Sequence, residues 1–354
     1  MFKKIFSILL VFWIILISGC QNSNNLQKAE ISINNDNQRT NLEVHYIDVG
    51  QADATLVKYD DEYMLIDGGN SEDSNLIYTY LKDRNIKELE YMICTHAHED
   101  HVGGLSGALE YAKVNNVLAP TKDYDTKAFR EFKKRVIDQG QEIIVPETGT
   151  SFMLGDVKCE ILSSNAYPDD TNNTSIVIKM TYQDISFLFS GDAMWQVERD
   201  IINNGFDIKA DVLKVGHHGS NTSSSYRYLD EAKSKYAIIS CGKDNEYGHP
   251  HKEVLSKLKD ADMKLYRTDL QGDIVCYSDG KDVWFKTSRN ENIDTYEGLK
   301  TEDKTYVINI NSKVFHNLDC QSVKDMKEVN KKYTSLSRSE LIDDGYKACS
   351  RCNP

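Results

Sequence analysis

The chain has 354 residues, 40% of them hydrophobic, with 42 Lys+Arg against 55 Asp+Glu and a net charge of −13. That length and apolar fraction suffice for one large α/β domain with a small appendage, and they exclude a wholly disordered chain. Residues 1–20 and 305–354 carry +2 each, which leaves −17 on residues 21–304; so acidic a body argues against a broad nucleic-acid-binding face, because phosphate contacts need Lys and Arg, but it leaves room for a phosphate ester held through metal.

Met1-Phe2-Lys3-Lys4 is a short basic start, residues 5–17 are almost continuously apolar, and Ser18-Gly19 stand directly before Cys20. The pattern over 1–20 resembles a bacterial lipoprotein signal peptide, which implies cleavage before Cys20, lipidation of that cysteine and a chain anchored in the cell membrane on its extracytoplasmic side. The alternative is an uncleaved membrane helix, for which the run is short against a hydrocarbon core of ~30 Å. Residues 21–41 are Asn-rich and nearly free of large apolar side chains, the composition of a flexible tether.

From Leu42 the alternation predicts three strands, 42–49, 54–57 and 63–66, in an antiparallel meander that ends at Asp67-Gly68-Gly69. A helix follows over 75–82, and a buried strand over 89–94 delivers Thr95 to His101 at its C-terminal end, where Val102-Gly103-Gly104 opens another helix. Later strands are predicted at 116–118, 141–145, 157–162, 175–180, 185–190, 212–215, 237–240 and 274–277, with helices around 126–139, 195–203, 224–234 and 251–260. There is no internal repeat and no coiled coil. The mixture predicts two sheets sandwiched between helices, with site residues at strand ends.

The decisive feature is His96-X-His98-X-Asp100-His101. A divalent metal needs neutral imidazoles and carboxylates converging on one point, and a turn after a strand aims four such ligands into two adjacent cavities. His96 and His98 are expected on one metal, Asp100 and His101 on a second. A polar surface loop would leave unexplained the hydrophobic strand before the motif and the Gly-Gly pair after it.

Together with Asp48-Val49-Gly50-Gln51-Ala52-Asp53-Ala54, Leu65-Ile66-Asp67-Gly68-Gly69, Asn172-Asn173-Thr174-Ser175, Phe189-Ser190-Gly191-Asp192, Leu213-Lys214-Val215-Gly216-His217-His218-Gly219-Ser220 and Gly248-His249-Pro250, this loop resembles the metallo-β-lactamase fold superfamily. More narrowly it resembles the extracellular hydrolase domain of ComEC competence proteins, over residues 42–287. The resemblance implies an α/β fold, the αββα sandwich of that superfamily. It implies Asp192 as the carboxylate shared by both metals, Asp67 as support for a ligand imidazole, His218 as a metal ligand, and His217 as a catalytic group facing substrate, beside Asp100 and His249, the last on a leaving oxygen or phosphate. Turn residues at Asp67 and Asp192 and a solvated loop histidine at His249 are the plainer alternatives, and the order of His217 and His218 stays open. Many members of the superfamily supply a further histidine before the bridging aspartate, yet none stands here between His101 and His217. Asn172 and Asn173 occupy that stretch, so the first site is ligand-poor, to be completed by water, an Asn carbonyl or substrate oxygen, and Mn²⁺ stands beside Zn²⁺ as its ion.

Two divalent metals would supply a nucleophile from bound water, whose pKa a catalytic zinc lowers to roughly 7, and would stabilise charge on a phosphoryl or carbonyl oxygen. Phosphodiester hydrolysis is expected first, on nucleic acid or a phosphorylcholine-bearing polymer, since relatives in motif are nuclease-like or phosphorylcholine esterase domains. A lactonase or β-lactamase-like hydrolase and a non-catalytic surface-binding lipoprotein are the alternatives.

Cys94, Cys159, Cys241 and Cys276 lie in apolar contexts and read as buried small residues. Residues 288–304 are polar and linker-like. In 305–354, which opens with a strand over 305–309, His316-X3-Cys320 with a distal Cys349-X2-Cys352 has the tally of a closed structural Zn²⁺ site. This tail resembles the small metal-binding module of Ada-type proteins with His316 in place of one cysteine; a Cys349–Cys352 disulfide is the alternative. A segment this short lacks core and needs some staple.

Overall fold

The computed structural model describes residues 41–297, 299, 305–336, 338–352 and 354; the expected signal peptide over 1–20, Cys20 and nearly all of the expected tether over 21–41 lie outside the described residues. Two large sheets face one another. The first has eight strands in the order Val283–Thr287, Ile274–Ser278, Leu42–Tyr46, Ala54–Tyr59, Glu62–Gly68, Glu88–Ile93, Lys113–Leu118, Ile143–Ile144. The second has seven, in the order Lys264–Arg267, Tyr236–Ile239, Val212–Lys214, Ile185–Phe189, Val177–Tyr182, Val157–Ser163, Ser151–Leu154.

Period-two alternation divides each strand between two cores. Val57, Met64, Ile66 and Ile93 point from the first sheet into the interface between sheets, where they meet Ile178, Met180, Phe187, Phe189 and Val212 of the second. Their neighbours Leu56, Leu65 and Met92 face outward onto the helices Ser74–Asp83, Leu105–Tyr111 and Lys127–Asp138, with Ile77, Leu105, Phe129 and Phe132. On the far side Val177, Leu188, Leu213 and Ile239 pack under Trp195–Asn203, Tyr226–Ala232 and Lys252–Asp260. The result is an αββα sandwich, as the sequence resemblance implies.

The meander over 42–68 is antiparallel, and the strand predicted over 42–49 stops at Tyr46. Edge strands escaped the pattern. Ser151–Leu154, Lys264–Arg267 and Val283–Thr287 hold fewer buried positions than the central strands, so their alternation is faint, and the predicted 141–145 strand shortens to Ile143–Ile144.

The tail forms a third, four-stranded sheet, Lys331–Thr334, Tyr306–Asn309, Val314–Asn317, Lys347–Ala348, over two cores of four buried residues each. Arg338 is buried and ties it to the sandwich: the guanidinium makes two bonds to Asp230, at 2.7 and 2.5 Å, lies 4.2 Å over the Tyr226 ring, and donates to the Pro354 carbonyl. Among the described residues no helix is long and apolar enough to cross a membrane.

Candidate metal centre

The strand Glu88–Ile93 runs parallel to its neighbours in the first sheet and releases the chain at Cys94, so His96 and His98 leave its end and Asp100 and His101 ride on the short helix Glu99–Val102. That helix sits backbone to backbone against the end of the meander. A Cβ at Gly104 would lie 1.8 Å from the Gly68 carbonyl oxygen, which is why glycine must follow the motif. Asp67, in left-handed backbone at φ 57°, accepts from Thr95 N and Thr95 Oγ1, both at 2.7 Å, and from His101 Nδ1 at 2.8 Å. That bond fixes the His101 ring with Nε2 turned inward.

From the second sheet, Ile185–Phe189 delivers Asp192, whose backbone N–H is held by Ser175 Oγ at 3.1 Å. Val212–Lys214 delivers His217 and His218. Both adopt φ 52°, a conformation costly for non-glycine residues, and on this tight turn their rings diverge. His218 Nδ1 donates to the Ser240 carbonyl at 3.1 Å, leaving Nε2 3.2 Å from Asp100 Oδ2 and 3.7 Å from Asp192 Oδ2. His217 is paired through Nδ1 with Thr222 Oγ1 at 3.0 Å, and its Nε2 lies 3.5 Å from Asp192 Oδ2.

The nitrogens and oxygens therefore converge on Asp192. His101 Nε2 is 3.4 Å from its Oδ1, and His96 Nε2 is 3.8 Å from its Oδ2. Two overlapping groups, His96 with His101 and Asp192, and Asp100 with His101 and His218, each hold their ligand atoms within 4.8 Å of one another. His98 stands at the edge of the first, its Nδ1 3.1 Å from His96 Nε2.

Two observations fit divalent cations between these groups. His101 Nε2 and Asp192 Oδ1 are fully buried without a hydrogen-bond partner, which is costly for a protein atom with nothing to bind. Anionic charge is also in excess. Burial opposes a proton on His101, yet Asp192, Asp67 and Asp100 together raise its pKa well above the ordinary value. At His218 burial is likewise outweighed, by Asp192 and Asp53, and the pKa rises to about 10. His96, with burial unopposed by enough carboxylate, is pushed far down and stays a neutral ligand. Cations in place of those protons would satisfy the same carboxylates.

Three groups line the open side. Burial lowers the pKa of His217; burial and then His218, His217 and His251 lower that of His249 to about 4. The His249 ring lies 5.7 Å from that of His217. Asn172 turns its Nδ2 to His217 Nε2 at 3.5 Å while its Oδ1 is buried without a partner. Asn173 faces elsewhere, accepting from Met194 N and donating to Asp170, so it braces the loop that carries Asp192.

Sequence reasoning missed Lys214 and Asp53, a fully buried ion pair with Nζ 2.8 and 2.9 Å from the two carboxylate oxygens. Asp53 Oδ1 is also 3.5 Å from His218 Nδ1. Gln51 and Thr222 were missed too. Their residue types carry no chemical signal, and they stand within quoted motifs or beside them.

In the tail, His316 on its strand, Cys320 before the helix Gln321–Lys324, and Cys349 and Cys352 after Lys347–Ala348 bring four ligand atoms within 4.8 Å of one another. Cys349 N donates to the Phe315 carbonyl at 3.0 Å, which holds the last loop beside His316. All the described cysteines are free thiols. Cys94, Cys159, Cys241 and Cys276 are buried in the sheets and outer layers.

A family model described as the metallo-beta-lactamase superfamily matches residues 47–243. ComE operon protein 3 of Bacillus subtilis (strain 168) is 32% identical over 251 residues, covering 66% of this chain and 32% of that protein. Competence protein ComA of Neisseria gonorrhoeae is 27% identical over 230 residues, 64% of this chain and 30% of that one. The chain spans about a third of the length of these curated relatives. Among solved structures, the metallo-beta-lactamase fold protein YhfI from Bacillus subtilis aligns with a TM-score of 0.45 at 14% identity, over 69% of this chain and 100% of that one.

Proposed function

The chain belongs to the metallo-beta-lactamase superfamily, generally metal-dependent hydrolases, and we propose that it acts there as a two-metal phosphodiesterase. The observation that carries the reading is the buried, partnerless pair His101 Nε2 and Asp192 Oδ1 at the meeting point of the two ligand groups. His96, His98 and Asp192 would hold one divalent ion, and Asp100, His101, His218 and Asp192 the other. Such a pair supplies a nucleophile at neutral pH and offsets charge building on the phosphoryl oxygens.

The protein's own part is orientation. Asp67, Ser240 and Thr222 each bind the far nitrogen of a histidine and fix which way it points. His249 and the Asn172 amide are left facing the open side with neutral N–H groups that can grip phosphoryl oxygens without a competing cation, while His217, whose Nε2 faces the Asn172 amide, presents a lone pair there. The net charge of −17 on residues 21–304 keeps contact local to the scissile phosphate. Nucleic acid is the first phosphodiester to test, a choice with which the names of the relatives, a ComE operon protein and a competence protein, are compatible.

Two further parts of the reading rest on the sequence and on the tail's geometry. Residues 1–20 would direct export and lipidation at Cys20, holding the enzyme in the cell membrane on its extracytoplasmic side. His316, Cys320, Cys349 and Cys352 would hold one structural Zn²⁺, since three thiols and an imidazole within mutual reach are a soft, four-donor set.

The test is hydrolysis by the mature chain of bis(p-nitrophenyl) phosphate, single-stranded DNA and p-nitrophenyl phosphorylcholine, beside an acyl-lactone and a cephalosporin, with metals measured in the same sample. Turnover of phosphodiesters with two ions at the centre supports the reading. Turnover of the lactone or the cephalosporin alone replaces it, and no turnover of anything by fully metallated protein leaves a binding lipoprotein.

A further inference from the structure

Gln51 has no place in the ligand set, yet its side chain is fixed at both ends. Its Oε1 accepts the Gly242 N–H at 3.0 Å, and Gly242 is packed so closely that a Cβ there would fall 2.8 Å from Gln51 N. A backbone N–H only donates, so the orientation of the amide is settled: Nε2 is the end turned toward His249, 3.3 Å from Nδ1. An amide NH₂ also only donates, which means the facing imidazole nitrogen must present its lone pair. The single proton of the neutral ring then sits on Nε2.

The loop around it is closed as firmly. The Asn245 side chain accepts from His249 N at 3.0 Å and donates to the carbonyls of Gly242 and His249 at 2.8 and 2.6 Å. Gln51 and His249 are thus held on either side of one clamped turn. The ring itself stacks on Tyr247 and on the metal-centre residue His218, at centroid separations of 5.7 and 6.3 Å and 23° to each plane. It cannot swing away without breaking both stacks.

We infer that Gln51 is a positioning residue that holds His249 in its Nε2–H form, so that His249 meets substrate as a neutral hydrogen-bond donor to a phosphoryl oxygen and not as the proton donor to the leaving oxygen. The inference rests on the phosphodiesterase reading of the same site. A second ring proton would set Nδ1–H against the amide hydrogens, and the Nε2–H of neutral imidazole is far too weak an acid to give up its proton. The leaving oxygen therefore departs without a proton from His249. The proton that the leaving oxygen takes up then comes from solvent.

The tautomer is read directly by nitrogen-15 NMR of histidine-labelled, zinc-loaded mature chain at neutral pH. Nδ1 of His249 should be bare and Nε2 protonated; in Gln51→Glu, whose carboxylate accepts, Nδ1 should carry a proton. A protonated Nδ1 in the parent protein overturns the inference even if the variants fail to fold. Kinetics on bis(p-nitrophenyl) phosphate give the second measure: His249→Ala should lower kcat on the order of 10²-fold, Gln51→Ala on the order of 10-fold, and the double variant should be no slower than His249→Ala, at equal metal content. Losses that multiply would mean Gln51 acts on something other than His249, which also overturns it. Absence of any phosphodiester hydrolysis with a bare Nδ1 in the spectrum would instead strike the phosphodiesterase reading and refute the donor role, while the tautomer assignment would stand.

Discussion

Asp192 and Cys320 stand in two clusters of possible ligands that the chain assembles in opposite ways. The donors around Asp192 are imidazoles and carboxylates from loops far apart in sequence, each leaving the end of a strand in one of two large sheets, and the rings are already oriented by Asp67, Ser240 and Thr222. Those around Cys320 are three thiols and an imidazole on short elements over cores of four residues. His316 Nδ1 lies 3.7 Å from Cys320 Sγ. Where the core is large the fold holds the ligands apart and keeps one side open, as catalysis requires; where it is small, four soft donors close on one point, and an ion there would hold the fold.

The sharpest break of that comparison is Asp192→Ala. The variant should lose hydrolysis by on the order of 10³-fold or more, because a carboxylate shared by two ions would position both and with them several kcal/mol of transition-state stabilisation. It should also lose at least one metal equivalent and keep its circular dichroism spectrum, since the two sheets do not depend on it. His218→Ala should shed metal as well, whereas His217→Ala should keep it and lose turnover; reversed metal contents would exchange the two roles.

Cys320→Ala should do the converse. One zinc equivalent disappears from the full chain and the tail becomes open to limited proteolysis, because apparent binding energies of structural zinc, roughly 10–16 kcal/mol, exceed anything so small a core provides. Hydrolysis should stay close to that of the parent. A tail equally protected in the variant under oxidising conditions would favour the Cys349–Cys352 disulfide instead.

How far the sequence spoke follows the same division. The motif from His96 to His101 is legible because four ligand types crowd six residues after an apolar strand, and the meander and central strands are legible because two-sided burial writes strong alternation. Nothing local marks Lys214 as the partner of Asp53, 161 residues away, or Gln51 as the residue that meets His249. Those pairings exist only once two sheets have closed over a common core. The tail's strands after Asn309 escaped notice for another reason: Val314–Asn317, Lys331–Thr334 and Lys347–Ala348 have few buried positions, and their pairing is visible only in the folded chain.

The pair Lys214–Asp53 tests whether the large region is as preorganised as its hydrogen bonds suggest. Burial pushes Asp53 up, and Lys214 and then His218 more than reverse it, holding the carboxyl below its ordinary range. A depressed carboxylate contributes stability that is present above its unfolded pKa, near 3.9, and is lost as pH falls below that. Lys214→Met removes the partner and strands a buried charge, at a cost of about 3–5 kcal/mol. The urea midpoint at neutral pH should fall accordingly, and the acid limb of the stability profile should flatten between about pH 4 and lower values. An unchanged midpoint would show that His218 and its surroundings hold Asp53 without the lysine.

The smallest effect is expected where the two regions meet. Arg338 belongs to the tail and is nearly inaccessible, at 2% exposure, but its partner Asp230 is 41% exposed on the sandwich helix Tyr226–Ala232. Solvent therefore screens the ion pair, and most of the gain comes from the fork geometry of two parallel bonds and from the guanidinium lying on the Tyr226 ring. Arg338→Ala should cost the docked tail about 1–2 kcal/mol, seen as faster amide exchange over residues 338–352 with zinc still bound, and leave the main unfolding transition of the sandwich in place. The helix it rests on begins just past the turn carrying His217 and Thr222, and Ser224 N and Ser225 N of the intervening stretch are held by the buried Glu198 carboxylate. If that anchor isolates the His217 turn from the tail, kcat should not change. A fall in kcat with Arg338→Ala would mean the anchor transmits what it was expected to absorb, and the two regions would then have to be treated as one cooperative unit.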